Sequence, residues 1–148
     1  MREVKHGVIV PYSTEMVFDL VADVASYAEF VPGCTESRIE WRAESADGTE
    51  DVIATLGLRL AGQPGRFTTR NRVQKPQRIN MSLIKGPFSV LSGEWRLESL
   101  EEGGCRLELQ MRFAFSSRIL DALLGPVFEL TCNHLVDAFV RRARHLYG

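Results

Sequence analysis

Histidine and cysteine are scarce: three of each stand among 148 residues, and neither type clusters. Cys34, Cys105 and Cys132 are odd in number, widely spaced and without a CxxC pair, which argues against a disulfide framework or a zinc ribbon. They read as free thiols of a reducing compartment. Of His6, His134 and His145, only His134 has another potential ligand nearby, Cys132, and no third ligand stands at metal-site spacing. No metal is expected. GxGxxG and GxxxxGK[ST] are both missing, so a nucleotide cradle has no support, Gly103-Gly104 reads as a hairpin turn, and no cofactor is expected.

Charge of one sign is lacking as well. Eighteen Lys and Arg face nineteen Asp and Glu, for a net charge of −1, so no global field draws the chain to DNA. The N-terminal stretch holds only a short apolar run from Gly7 to Pro11, far below the roughly 20 residues that span a bilayer. The expected location is the cytoplasm, with peripheral contact to the inner membrane left open.

What is present is ordinary globular composition, 45% apolar and 25% charged, in a length suited to a single domain over residues 1–148. Residues 2–10 read as a strand, stopped by Pro11. Ser13 is then a helix N-cap before Met16, Val17, Leu20 and Val21 at helical spacing. A second short helix, capped by Asp23, is predicted through Tyr27 and Phe30 to the breaker Pro32-Gly33. From Cys34 the period changes to two for some eighty residues, and five turns divide that stretch into six strands. In the last of them Cys105, Leu107, Leu109, Met111, Phe113 and Phe115 alternate with polar residues, the pattern of a half-buried antiparallel strand. After Ser116-Ser117 a helical stripe returns, running from Ile119 and Leu123 through Phe128 and Phe139 to Leu146. Gly125-Pro126 should kink or divide that helix.

This order predicts an α+β fold: a curved seven-stranded antiparallel sheet around a long C-terminal helix, with two short helices after the first strand. One helix covers such a sheet incompletely, so the space left is either packed or a ligand cavity. Small inward residues at Gly93 and Ala54 favour a cavity. Periodicity alone does not separate core from ligand wall at Trp95, Met111, Phe113 and Phe128. The expected wall comprises Ala54, Leu56, Leu91, Trp95, Leu109, Met111 and Phe113 on strands with Leu124 and Phe128 on the helix. Phe18, Tyr27 and Phe30 on the short helices would cover one end. Alternation in Arg66-Phe67-Thr68-Thr69-Arg70-Asn71-Arg72 points Thr69 and Asn71 inward as polar handles and leaves Arg66, Arg70 and Arg72 outside as a basic stripe. That stripe suits lipid headgroups, RNA phosphate or acidic neighbours on adjacent strands. Arg141, Arg142, Arg144 and His145 form a second basic cluster where the helix dipole favours cations.

Catalytic signatures are wanting. His134 has no nucleophile marked by a motif, and no carboxylate pair is singled out by spacing. The chain is therefore expected not to be an enzyme.

Phe18-Asp19-Leu20-Val21 with Asp23-Val24, Tyr27, Phe30, Pro32 and Cys34, then Phe67-Thr68-Thr69-Arg70-Asn71, Gly86-Pro87-Phe88, Leu91, Gly93 and Trp95, and finally Ala138-Phe139, Arg142-Ala143 and Leu146-Tyr147 follow one another along nearly the whole chain. Together they resemble the bacterial coenzyme Q-binding and ribosome association toxin family of the START-like, polyketide cyclase-related superfamily. The resemblance implies the helix-grip fold of START and Bet v 1-like domains. It further implies a tunnel for a lipid, with an isoprenoid quinone, ubiquinone above all, as ligand and a supporting role in respiration. Some members are instead described as toxins that act on the large ribosomal subunit, and others of the fold are polyketide cyclase-like enzymes. The segment Tyr27-Ala28-Glu29-Phe30-Val31-Pro32-Gly33-Cys34 departs from related sequences, which carry proline after the tyrosine and tryptophan before the cysteine.

Overall fold

Pro11 has no amide to offer a strand ladder, and the chain leaves the sheet there. A computed structural model describes residues 1–148. Before Pro11 lies β1 (Arg2–Val10). After it, Ser13 Oγ accepts a hydrogen bond from Met16 N at 3.2 Å and starts α1 (Thr14–Ala22), whose Val17, Phe18 and Val21 are buried. The second short helix differs from expectation. Asp23 caps no backbone amide; its carboxylate accepts from Ser26 Oγ at 2.6 Å, a local side-chain bond that competes with capping. The chain instead makes one 3-10 turn (Val24–Ser26) and a single helical turn, α2 (Tyr27–Phe30). Ser37 ties these turns to the sheet, donating to Ala25 O and accepting from Ala28 N, both at 3.0 Å.

Six strands follow: β2 (Cys34–Glu44), β3 (Glu50–Leu60), β4 (Gln63–Gln74), β5 (Arg78–Lys85), β6 (Phe88–Ser99) and β7 (Cys105–Phe115). They pair antiparallel in the order β1-β7-β6-β5-β4-β3-β2, so the first strand closes one edge beside the last. Register shifts at Cys34/Glu36, Ile39/Trp41, Thr68/Thr69 and Phe88/Val90 supply the bends that curve the sheet. The shift at Ile39/Trp41 also turns Trp41 outward, where it is 51% exposed.

Ser117 caps α3 (Arg118–Tyr147), accepting from Leu120 N at 3.1 Å. Gly125-Pro126 does not divide this helix. Pro126 and Ala122 lie on its exposed side, where solvent can take the carbonyl that proline leaves unpaired. Phe128, Val136 and Phe139 face the sheet and are buried, Phe128 within an aromatic cluster whose rings lie 4.7 Å from Phe113 and 5.2 Å from Phe88. The apolar stripe read from the sequence is too broad. Nine residues, about two and a half turns, separate Ile119 from Phe128, so the two point in opposite directions. Ile119 is 76% and Leu123 66% exposed, and Leu146 is exposed at the far end.

Candidate functional site

Because α3 lies mainly against β1 and β7, it covers the concave face of β3, β4 and β5 only loosely. The gap is a cavity of about 90 Å³ enclosed by 24 residues, 21 of them hydrophobic and none charged. Such a space holds more than one water, and its lining gives water few partners.

Ten of the expected residues meet there: Tyr27, Ala54, Leu56, Thr69, Asn71, Leu91, Trp95, Leu109, Met111 and Phe128. Four do not. Phe113 is fully buried among Phe88, Phe115 and Phe128, where aromatic packing consumes its faces. Leu124 is half-buried on the flank of α3 beyond the cavity. Phe18 packs into the core behind Val21 and Ala22, which take its place on the wall. Phe30 stands outside the wall, its ring 5.5 Å from Phe139 and its face covered by the Arg142 guanidinium at 5.0 Å. Gly93 also differs from expectation, because the space above it is filled by the Met111 and Met81 side chains. Residues missed from the sequence include Phe67 and Val73, whose inward alternation was legible, and Cys132, one turn beyond Phe128. Met81 was legible too, in the alternation of Ile79, Met81 and Leu83 with Arg78, Asn80 and Ser82, whereas Cys34 and Val31 carried no such signal.

Seven wall residues keep partial exposure, Ala22, Cys34, Leu56, Phe67 and Met81 together with Thr131 and Leu135 of α3, so the cavity reaches the surface between the sheet and the helices. Polar groups along the wall are mostly engaged. Tyr27 Oη donates to Val21 O and its ring lies 5.2 Å from Phe139; burial pushes its phenol pKa upward. Thr131 Oγ1 donates to Val127 O at 3.0 Å, and Thr69 Oγ1 to Asn71 Oδ1 at 2.8 Å. Burial raises the Cys34 thiol and pushes Cys132 up to about 12, so both are neutral at physiological pH.

Outside the sheet, two arginines of the stripe are paired, Arg66 with Glu36 of β2 at 2.8 Å across β3 and Arg70 with Asp51 of the adjoining β3 at 3.2 Å, while Arg72 is exposed without an ion pair. At the end of α3, Arg141 and Arg144 are exposed, whereas Arg142 pairs with Glu29. No group of three or more His, Cys, Asp or Glu side chains gathers as a metal site would require.

A seven-stranded antiparallel sheet gripping one long helix above an apolar cavity is the helix-grip architecture of START domains. The chain belongs to the polyketide cyclase/dehydrase and lipid transport family, whose profile matches residues 10–140. It is 37% identical over its whole length to the ribosome association toxin RatA of Vibrio cholerae, covering 99% of that protein. It is 25% identical over 95% of its length to the mitochondrial coenzyme Q-binding protein COQ10 of Drosophila melanogaster, covering 57% of that chain. Among solved structures it superposes with TM-score 0.81 on a START superfamily protein from Mycobacterium smegmatis, at 21% identity over 97% of this chain and 98% of that one. It superposes equally well on the Zhui aromatase/cyclase from a Streptomyces species, at 23% identity over 97% and 93%.

Proposed function

We propose that this chain binds a neutral isoprenoid, ubiquinone being the favoured ligand, in the cavity beneath α3 and acts as its carrier or chaperone in support of respiration, not as an enzyme. The carrying observation is the uncharged wall of 24 residues, in which Thr69, Asn71 and Thr131 are the polar exceptions. An apolar tail gains about 25 cal/mol per Å² removed from water, whereas a charged ligand would find no counter-ion. The cavity is small beside the roughly 300–1,000 Å³ of developed ligand sites, so entry requires the wall to yield. Met81 and Met111, unbranched and adaptable, are the side chains suited to moving. No acid and base stand together on the wall, which supports binding without turnover.

The surface where α3 begins supports loading from a lipid layer, and with it a cytoplasmic protein in peripheral contact with the inner membrane. Ser116 N donates to Pro87 O at 2.8 Å, so the start of α3 abuts the β5–β6 turn. Ile119 and Leu123 on one side and Ile84 and Val90 on the other are exposed, with the cations of Lys85 and Arg118 among them. Exposed apolar residues with cations among them suit an anionic lipid surface.

The test is a titration with a short-tailed ubiquinone followed by Trp95 fluorescence in a Trp41→Phe background, which removes the exposed indole. Saturable quenching is expected; a linear response like that of free tryptophan would refute the proposal.

A second reading, association with the large ribosomal subunit, is favoured by the whole-length similarity to RatA and by the exposed Arg141 and Arg144. Cosedimentation with large subunits that weakens with salt and is lost on Arg141→Glu/Arg144→Glu would support it. Sedimentation unaffected by those changes would exclude this surface.

A further inference from the structure

Asn71 sits on β4 with its side chain on the cavity wall, 6% exposed, opposite Val52 of β3 and Met81 of β5. Its carboxamide carries one acceptor oxygen and two N–H donors. The oxygen accepts from the Thr69 hydroxyl at 2.8 Å. The nitrogen has no partner. Elsewhere on the wall Tyr27 Oη is committed to Val21 O, Thr131 Oγ1 to Val127 O and Cys34 Sγ to Glu36 O, which leaves the Trp95 indole N–H as the one other strong donor without a partner. Cys132 adds only a thiol, a weak donor. An amide N–H on an apolar cavity wall finds no acceptor in the protein, and a ligand that supplies one is correspondingly favoured.

We propose that the Asn71 amide, its oxygen bonded by Thr69, is the polar contact that selects this cavity's ligand: a neutral hydrophobe bearing a carbonyl-type acceptor, as quinones and ketones do. The inference rests on the cavity being a ligand site and adds which end of the ligand is read. A hydrocarbon leaves the Asn71 N–H groups unpaired. An ionised fatty acid offers acceptors but brings a charge into a wall that holds no cation. A carbonyl satisfies the amide without either penalty. Ala54 faces Thr69 across β3 and β4, and so small a neighbour leaves room for a head group beside the pair.

The experiment compares decylubiquinone, decylbenzene and ionised decanoate by calorimetry at pH 8 on the unmodified chain and on two variants, Asn71→Leu and Thr69→Val/Asn71→Leu. The double variant matters because Asn71→Leu alone frees the Thr69 hydroxyl to donate in its place. One hydrogen bond corresponds to about tenfold in affinity. The unmodified chain is therefore expected to bind decylubiquinone at least about tenfold more tightly than decylbenzene, and decanoate not measurably. The double variant is expected to lose that preference while its affinity for decylbenzene stays the same or rises. An equal loss for both neutral ligands would mean that packing was disturbed and would overturn the assignment. So would a preference for quinone that survives the double change. Should that variant not fold, Thr69→Val/Asn71→Val removes the same two polar groups with a smaller change in volume, and its preference decides the matter. Equal affinity of the unmodified chain for quinone and hydrocarbon sinks this inference while sparing the cavity; failure to bind either removes both.

Discussion

Arg2 and Asp121, 119 residues apart, meet at 3.1 Å where the first strand passes the start of the last helix. The guanidinium lies lengthwise on α3, bonding Asp121 Oδ2 and its carbonyl at one end and Glu129 Oε1 at the other. Gly125, midway between them on the same face, makes this passage open: a Cβ there would stand 2.0 Å from Arg2 Nε. The other Asp121 oxygen accepts from Phe115 N at 3.0 Å, so one carboxylate joins β1, the end of β7 and α3.

The Phe115 amide first, and Arg2 second, hold the Asp121 carboxyl below the usual carboxylate range. A depressed folded-state pKa means that this stabilisation is complete above the unfolded value of about 4 and is lost as pH falls through the folded value. Asp121→Asn should therefore lower the urea midpoint at pH 7, and its deficit should shrink steadily once pH drops below about 4. A deficit unchanged at low pH would contradict this. Gly125→Ala should lower the midpoint too, by expelling Arg2 from its place.

Two small inward residues should behave differently. Ala54 borders the cavity, so Ala54→Leu fills open space and is expected to abolish ligand binding while changing stability by no more than about 1–2 kcal/mol in either direction. A Cβ at Gly93 would meet Met111 Sδ at 2.1 Å and Gln110 O at 3.1 Å. Gly93→Ala is expected to destabilise by about 1–3 kcal/mol, as overpacked sites do. Thermal unfolding and ligand titration of both variants separate the cavity from the packed floor; equal destabilisation by the two would erase that distinction.

The thiols offer a chemical footprint. Cys34 lines the cavity and keeps partial exposure, whereas Cys105, pushed up to about 11 by burial, and Cys132 are enclosed. Iodoacetamide should modify Cys34 first, more slowly than a free thiol of pKa about 8.5, and bound ligand should slow it further. Peptide mapping by mass spectrometry reads the order; early labelling of Cys132 would count against the enclosed wall.

The sheet was largely legible because each strand is apolar on one face, and alternation in β7 and β4 specified which residues point inward. The single 3-10 turn after Asp23 was not, since it depends on the competing Ser26 hydroxyl. The breadth of the α3 stripe was overread: leucine and isoleucine score alike whether they face the sheet, as Phe128 does, or solvent, as Ile119 does. The cavity wall was recoverable wherever inward direction sufficed, as at Asn71 and Trp95. It was missed at Phe113 and Gly93, where direction was right and neighbouring aromatic rings or methionines had already taken the space. Filling is set by side chains distant in sequence, which periodicity does not report.

If the cavity beneath α3 holds a neutral isoprenoid, the chain should carry it out of its source cells. Native mass spectrometry of the chain purified from its source cells, with the bound species released and fragmented, tests this most directly. A stoichiometric adduct whose fragments identify a polyprenyl quinone is expected, as is its absence from the Ala54→Leu variant. A chain that emerges bare and stays bare after incubation with excess ubiquinone, in either form, would contradict it.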